Sequence, residues 1–249
     1  MNIPESETVS KAMTSTTENW SPNLFPSLVA CIAGCVIGYA VVHSVHPFFK
    51  FADIPELGIS APPELIKRYN DAQIAFWANN YALDFGLLGL CIGSTIGFIT
   101  TRLRRIPSWL AGLVGGFVGG AIAGYTIGIF VAKALIASAN QSLIQSTGFH
   151  FAIWASIFAS ILLMVGWVQD GAIRSAAFVL NGVVVGLAVA IVYNIASPLI
   201  FAHANLLKLI PNTSLERVVW ILTCSIVLGL GLHLGLGNRT IKKYQRSHS

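Results

Sequence analysis

Asp84 and Lys133 are ionisable side chains at the edges of two long apolar runs in this 249-residue chain. Such groups are costly to place in a bilayer and commonly mark ion paths, proton relays or gates. Asp84 stands near the start of one run and Lys133 near the end of the next. An antiparallel helix pair would bring them together as an ion pair; the alternative is that both snorkel to the headgroups. A second, uncharged group lies deeper. Asn181, Tyr193, Asn194 and Ser197 share one apolar run, and His233 sits in another. Asn181 and His233 lie at similar distances from one end of their runs, which predicts a hydrogen bond between them. Pro198 removes the usual helical donor for the Asn194 carbonyl and would loosen that turn. A substrate site at the break and ordinary inter-helix hydrogen bonding are the two readings.

Other reactive residues carry less. His43 and His46, one helical turn apart, are two metal-ligand types without a fixed third partner, so no metal is expected. Cys31, Cys35, Cys91 and Cys224 all lie in apolar runs, where thiols pack as small hydrophobes. The sequence contains no HExxH, GxSxG or GxxxxGK[ST] motif. The chain is therefore read as a non-enzyme, with no catalytic residue and no cofactor.

These residues must be positioned by membrane helices. Charged residues are only 10% of the chain, hydrophobic residues 55%, and mean hydropathy is +0.71. A soluble domain carries about 25% charged residues. A disordered chain and an ordinary soluble enzyme are both excluded. Six segments reach the ~20 apolar residues that cross a hydrocarbon core: about 26–48, 82–101, 109–135, 151–169, 176–200 and 218–237. Alternating ten-residue strands of a β-barrel are absent. The fold class is all-α, a polytopic transmembrane bundle. Trp20, Trp77, Trp109, Trp154, Trp167 and Trp220 fall near segment ends, as an aromatic belt at the headgroups predicts.

Glycine spacing predicts how the helices pack. Gly112, Gly116, Gly120, Gly124 and Gly128 recur every four residues in the third span, and Gly89, Gly93 and Gly97 do so in the second. Gly182 and Gly186 mark the fifth. Such a face has no side chains, so two backbones can approach closely. It forms either an oligomer seam or a contact within one bundle; the second is the expectation. An offset of 66 residues also lays 84–128 over 150–194, placing Gly89 and Gly93 on Ala155 and Ala159, and Gly116 and Gly120 on Gly182 and Gly186. That is the pattern of a parallel hairpin repeat, a feature of some transporters.

Residues 1–24 read as a disordered cytoplasmic tail, residues 63–80 as an outer loop helix opened by Pro62 and Pro63, and 238–249 as a basic cytoplasmic tail. With both termini in the cytoplasm, nine Lys and Arg lie inside and six outside, the bias of the positive-inside rule in the cell membrane. The net charge of +5 thus reports topology, and nucleic acid is not an expected partner. The segments GLLGLCIGSTIGFITTRLRR, GGFVGGAIAG and NGVVVGLAVAIVYNIASPLIF resemble a group of uncharacterised polytopic glycine-zipper bacterial membrane proteins. The resemblance implies the topology and no activity. The expected function is that of a non-catalytic membrane protein acting through helix–helix or partner contacts, in lipid, with itself or with another membrane protein. A small transporter or channel with a polar site on span five is the alternative.

Overall fold

The computed structural model describes residues 24–54, 61–100, 105–137, 142–201, 209–211 and 213–247. Among these residues there are six helices and no strand. They are α1 (Leu24–Val45), α2 (Pro63–Ile99), α3 (Arg105–Ile136), α4 (Leu143–Asp170), α5 (Ala172–Ile200) and α6 (Ser214–Ser247). Each contains a stretch long and apolar enough to cross a membrane. The tail at 1–24 falls outside the described residues except for Leu24, where α1 begins.

Two boundaries differ from the sequence expectation. The loop helix at 63–80 and the second span are one continuous helix of 37 residues. After Pro63 no proline or glycine occurs until Gly86, so nothing breaks the backbone ladder between them. At 1.5 Å per residue α2 is about 55 Å long, nearly twice the ~30 Å hydrocarbon core. The sixth helix likewise continues through the expected tail to Ser247.

The helices close a ring in chain order. Each packs on the next, α6 returns to α1, and α2 also touches α4. Neighbours run antiparallel. Between α2 and α3, a Cβ added at Gly89 would overlap the Gly116 carbonyl; at Gly93, that of Gly112; at Gly97, that of Ser108. Seen from α3, Gly120 meets the Phe85 carbonyl and Gly124 that of Tyr81. In every pair the two residue numbers add to 205, so the register is constant across all five contacts. Gly115 and Gly119, on the adjoining face of α3, meet Ser160 of α4. All these α3 glycines thus face other helices of the same chain.

The second hairpin repeats this contact with a slide. Gly182 meets Ala159 and Gly186 meets Ala155 across α4 and α5. A strict 66-residue copy of the first hairpin would instead oppose Ala155 to Gly182. The same small positions make the contact one turn out of register. The tight α4–α5 connection accommodates this: Gly171 alone separates the helices, at φ 80°, a conformation that favours glycine.

Side chains sort inside-out compared with a soluble protein. Large residues including Tyr81, Phe85, Ile92, Phe158 and Leu228 fill the interior. The outer faces carry exposed rows such as Leu110, Val114, Val118 and Ile122 on α3, and Val218, Leu222, Ile226 and Leu230 on α6. Only lipid accepts such a surface at low free energy. The chain is a multi-pass integral membrane protein. One end of the ring, the turn end, holds the start of α1, the end of α2 and start of α3, the α4–α5 turn and the far part of α6. The opposite loop end holds the ends of α1, α3 and α5 and the starts of α2, α4 and α6.

Candidate functional site

Polar side chains collect at the loop end, where helices α1, α2 and α6 meet. Asp84, only 1% exposed, receives His46 from the first residue beyond α1: its Oδ1 and Oδ2 lie 3.1 Å and 2.9 Å from His46 Nδ1. One turn earlier on α2, the amide of buried Asn80 accepts from the Phe49 N–H at 3.0 Å and donates to the Phe49 carbonyl at 3.1 Å. A side-chain amide thus pairs with both backbone groups of one residue, as a neighbouring strand would. It also donates to the Phe76 carbonyl. These bonds pin the chain leaving α1 onto α2, and Phe51 packs against Tyr69 and Phe76 beyond them.

The expected Asp84–Lys133 pair does not form. By the constant α2–α3 register, Asp84 lies level with residue 121, twelve residues from Lys133. That is about 18 Å along the axis. Lys133 is exposed. The helices are antiparallel as expected, but α2 extends so far past Asp84 that its end, and not Asp84, stands opposite the end of α3.

Across the α1–α6 seam, Arg217 donates from Nε to the Pro211 carbonyl at 2.7 Å. Its Nη1 lies 3.4 Å from both Tyr39 Oη and His43 Nδ1. Tyr39 and His43 stack nearly parallel, with ring centroids 5.6 Å apart. Glu216 is held elsewhere: it accepts from the Thr213 N–H at 3.1 Å while its own N–H donates to Thr213 Oγ1 at 3.2 Å. This is a reciprocal capping box that fixes the start of α6. The Thr-x-x-Glu spacing was its signal in the sequence. His43 and His46, paired by spacing as metal ligands, are engaged by different partners.

A second polar group is buried between α4 and α5. Ser146 Oγ donates to Asn194 Oδ1 at 2.6 Å, and Asn194 Nδ2 donates to the Ala190 carbonyl at 2.8 Å. His150, 2% exposed, lies with Nδ1 3.0 Å from the Ser146 carbonyl, and its ring packs at a 41° tilt against Tyr193 with centroids 5.1 Å apart. A carbonyl only accepts, so Nδ1 carries the proton and Nε2 is a bare acceptor. Among the described residues Nε2 has no partner. Ser146 and His150 precede the apolar run at 151–169 from which the sequence predicts the fourth span; α4 begins at Leu143, which places both inside the helix. Pro198 does not end α5, which continues to Ile200. Ser197 is buried beside it.

The remaining candidates are placed as follows. Gly231 meets Val185 across α5 and α6, which sets His233 level with residue 183, two residues from Asn181. Asn181 lines a small pocket with Phe158, Leu162, Phe178, Val185 and Leu232. A second pocket lies under Asp84, between Tyr39, Val42, Leu88, Ile210 and Trp220. Each has room for about one water. Trp154 and Trp220 depart from the aromatic belt. They are 1% and 2% exposed and pack on each other at 5.7 Å, joining α4 to α6 across the ring. Nearness to a segment end does not reveal which way a ring points.

No family model, curated protein or solved structure matches the chain.

Proposed function

We propose that this membrane protein acts without catalysis, through contacts among its own helices and with other membrane components. The observation that supports this reading is the filled interior. Trp154 and Trp220 meet across the ring, with Tyr81, Phe85 and Phe158 buried around them. Such a core maintains a shape and presents a surface. The order of charges in the sequence supports an orientation: with six spans crossing in turn, nine Lys and Arg fall to the segments on the side of the two termini and six to the other side. By the same count the acidic residues divide four and six, which assigns the net charge of +5 to the side of the termini. We place that side, with both termini, on the cytoplasmic face of the cell membrane.

Reconstitution in liposomes tests the reading. Vesicles holding the purified chain should stay tight to protons, potassium and small solutes. Saturable flux removed by Asn194→Ala would replace it with transport through a polar site on α5. That second reading is favoured by one feature, the buried Ser146–Asn194 bond beside the open Nε2 of His150.

A further inference from the structure

The loop end of the α1–α6 seam gathers hydrogen-bond donors without a balancing acceptor. Arg217 only donates, so His43 Nδ1, 3.4 Å from Nη1, is the acceptor of that contact and the His43 proton sits on Nε2. Tyr39 Oη accepts from the same Nη1, which leaves its own hydroxyl proton to donate. Three side chains are left with spare donors: the remaining guanidinium N–H groups, the Tyr39 O–H and the His43 Nε2–H. Ring stacking holds two of them together. The nearby carboxylates are already engaged, Glu216 by the Thr213 N–H and Asp84 by His46. Among the described residues no carboxylate lies within ion-pair distance of Arg217. A half-buried guanidinium is thus left with neutral partners only.

The depth of the cluster specifies the ligand further. Tyr39 and His43 lie in the last two turns of α1 and Arg217 in the first turn of α6, the level at which a lipid headgroup meets the protein. Toward the bilayer, Ile32 and Val36 on α1 and Leu222 and Ile226 on α6 are exposed and apolar, suited to acyl chains. A fork of N–H donors beside a phenol and an imidazole N–H matches the oxygens of a phosphate.

We propose that Arg217, Tyr39 and His43 form a binding site for a phosphate group, supplied by an anionic phospholipid or by free phosphate. The inference requires only that the bundle lies in a membrane, and stands whether or not the protein transports a solute.

The test uses the full chain in nanodiscs of phosphatidylcholine doped with phosphatidylglycerol, and native mass spectrometry of the lipid retained on release. The unaltered chain should keep phosphatidylglycerol selectively. Arg217→Gln should lower that retention about fivefold or more, the worth of one cation at an anionic surface. Arg217→Lys, which keeps the charge and loses the fork, should fall between. Lys133→Gln removes an exposed cation elsewhere at the loop end and should change nothing. In a second arm, inorganic phosphate is added to delipidated chain. Binding there that depends on Arg217, without selective lipid retention, makes free phosphate the source. Equal retention by Arg217→Gln and the unaltered chain, with no Arg217-dependent phosphate binding, overturns the site. So does an equal loss in Lys133→Gln, since the effect would then be general charge.

Discussion

The Asp84 carboxylate on α2 faces the His46 imidazole across 2.9 Å, and this contact, with the Asn80–Phe49 bonds one turn away, fastens the chain leaving α1 to its neighbour. The partners are unequal. Asp84 is almost wholly enclosed, whereas the His46 side chain is 35% exposed. Water reaches the histidine side of the contact, and a partly exposed polar contact of this kind contributes little, up to about 1 kcal/mol.

A double-mutant cycle of Asp84→Asn and His46→Gln should return a coupling of about 1 kcal/mol in thermal unfolding in detergent. Coupling indistinguishable from zero would show that the contact contributes nothing to holding the connection. Asn80→Ala should have a larger effect, because it leaves both Phe49 backbone groups without that partner; about 1–3 kcal/mol is expected.

Substitution at the α2–α3 contact should break the hairpin. Gly93→Leu and Gly116→Leu each drive a side chain into a carbonyl of the opposite backbone, and a loss of more than about 3 kcal/mol is expected from overpacking that rotamers cannot relieve. Gly148→Ala is the control. Nothing lies within 4 Å of its added Cβ, so it should be neutral or stabilising by up to about 1 kcal/mol. Melting curves of the three variants decide the matter. Equal melting temperatures would refute the register.

Tryptophan fluorescence separates interior from belt. Trp154 and Trp220, buried and packed together, should resist both aqueous quenchers and brominated lipids. Trp109 and Trp167 are exposed and should be quenched by the lipid probe. Single-tryptophan variants give the readout, and ready quenching of Trp154 would contradict the closed ring.

Asn194→Ala should destabilise the bundle modestly, by about 0.6–1.7 kcal/mol, the range for hydrogen bonds between membrane helices. Thermal unfolding in detergent measures it. No change at all would mean that the 2.6 Å bond to Ser146 is replaced at no loss.

Cysteine labelling fixes the sidedness. Gly171→Cys at the turn end and Lys50→Cys at the loop end should react with impermeant reagent from opposite faces of an intact cell, Lys50→Cys from outside. Reaction from the same face would contradict the six-span arrangement.

The spans were legible because a helix surrounded by lipid must be apolar over a fixed length, and that length can be counted. Where glycine recurs every fourth residue, the sequence also marks the faces on which backbones meet. Partner choice was less legible. Lys133 is the right charge at the expected end for Asp84, yet an unbroken α2 puts the two about 18 Å apart, and a histidine beyond α1 takes its place. The continuous α2 had a visible cause, the absence of any breaker after Pro63. Trp154 and Trp220 were misplaced because position along a segment says nothing about azimuth around it. Arg217 entered only as one outer charge; its neighbours come from α1, 174 and 178 positions away in the chain.

Ring closure has a consequence for biosynthesis. During translation α1 emerges first and gains α2 as soon as the second span is inserted, but its other flank waits for α6. Until then Tyr39, His43 and Cys35 lack the α6 side of their surroundings, and translocon components or lipid must shelter that edge. A ribosome stalled after α5 should therefore leave an open crescent, prone to capture by chaperones and membrane proteases, and arrival of α6 is the step that releases the bundle from them.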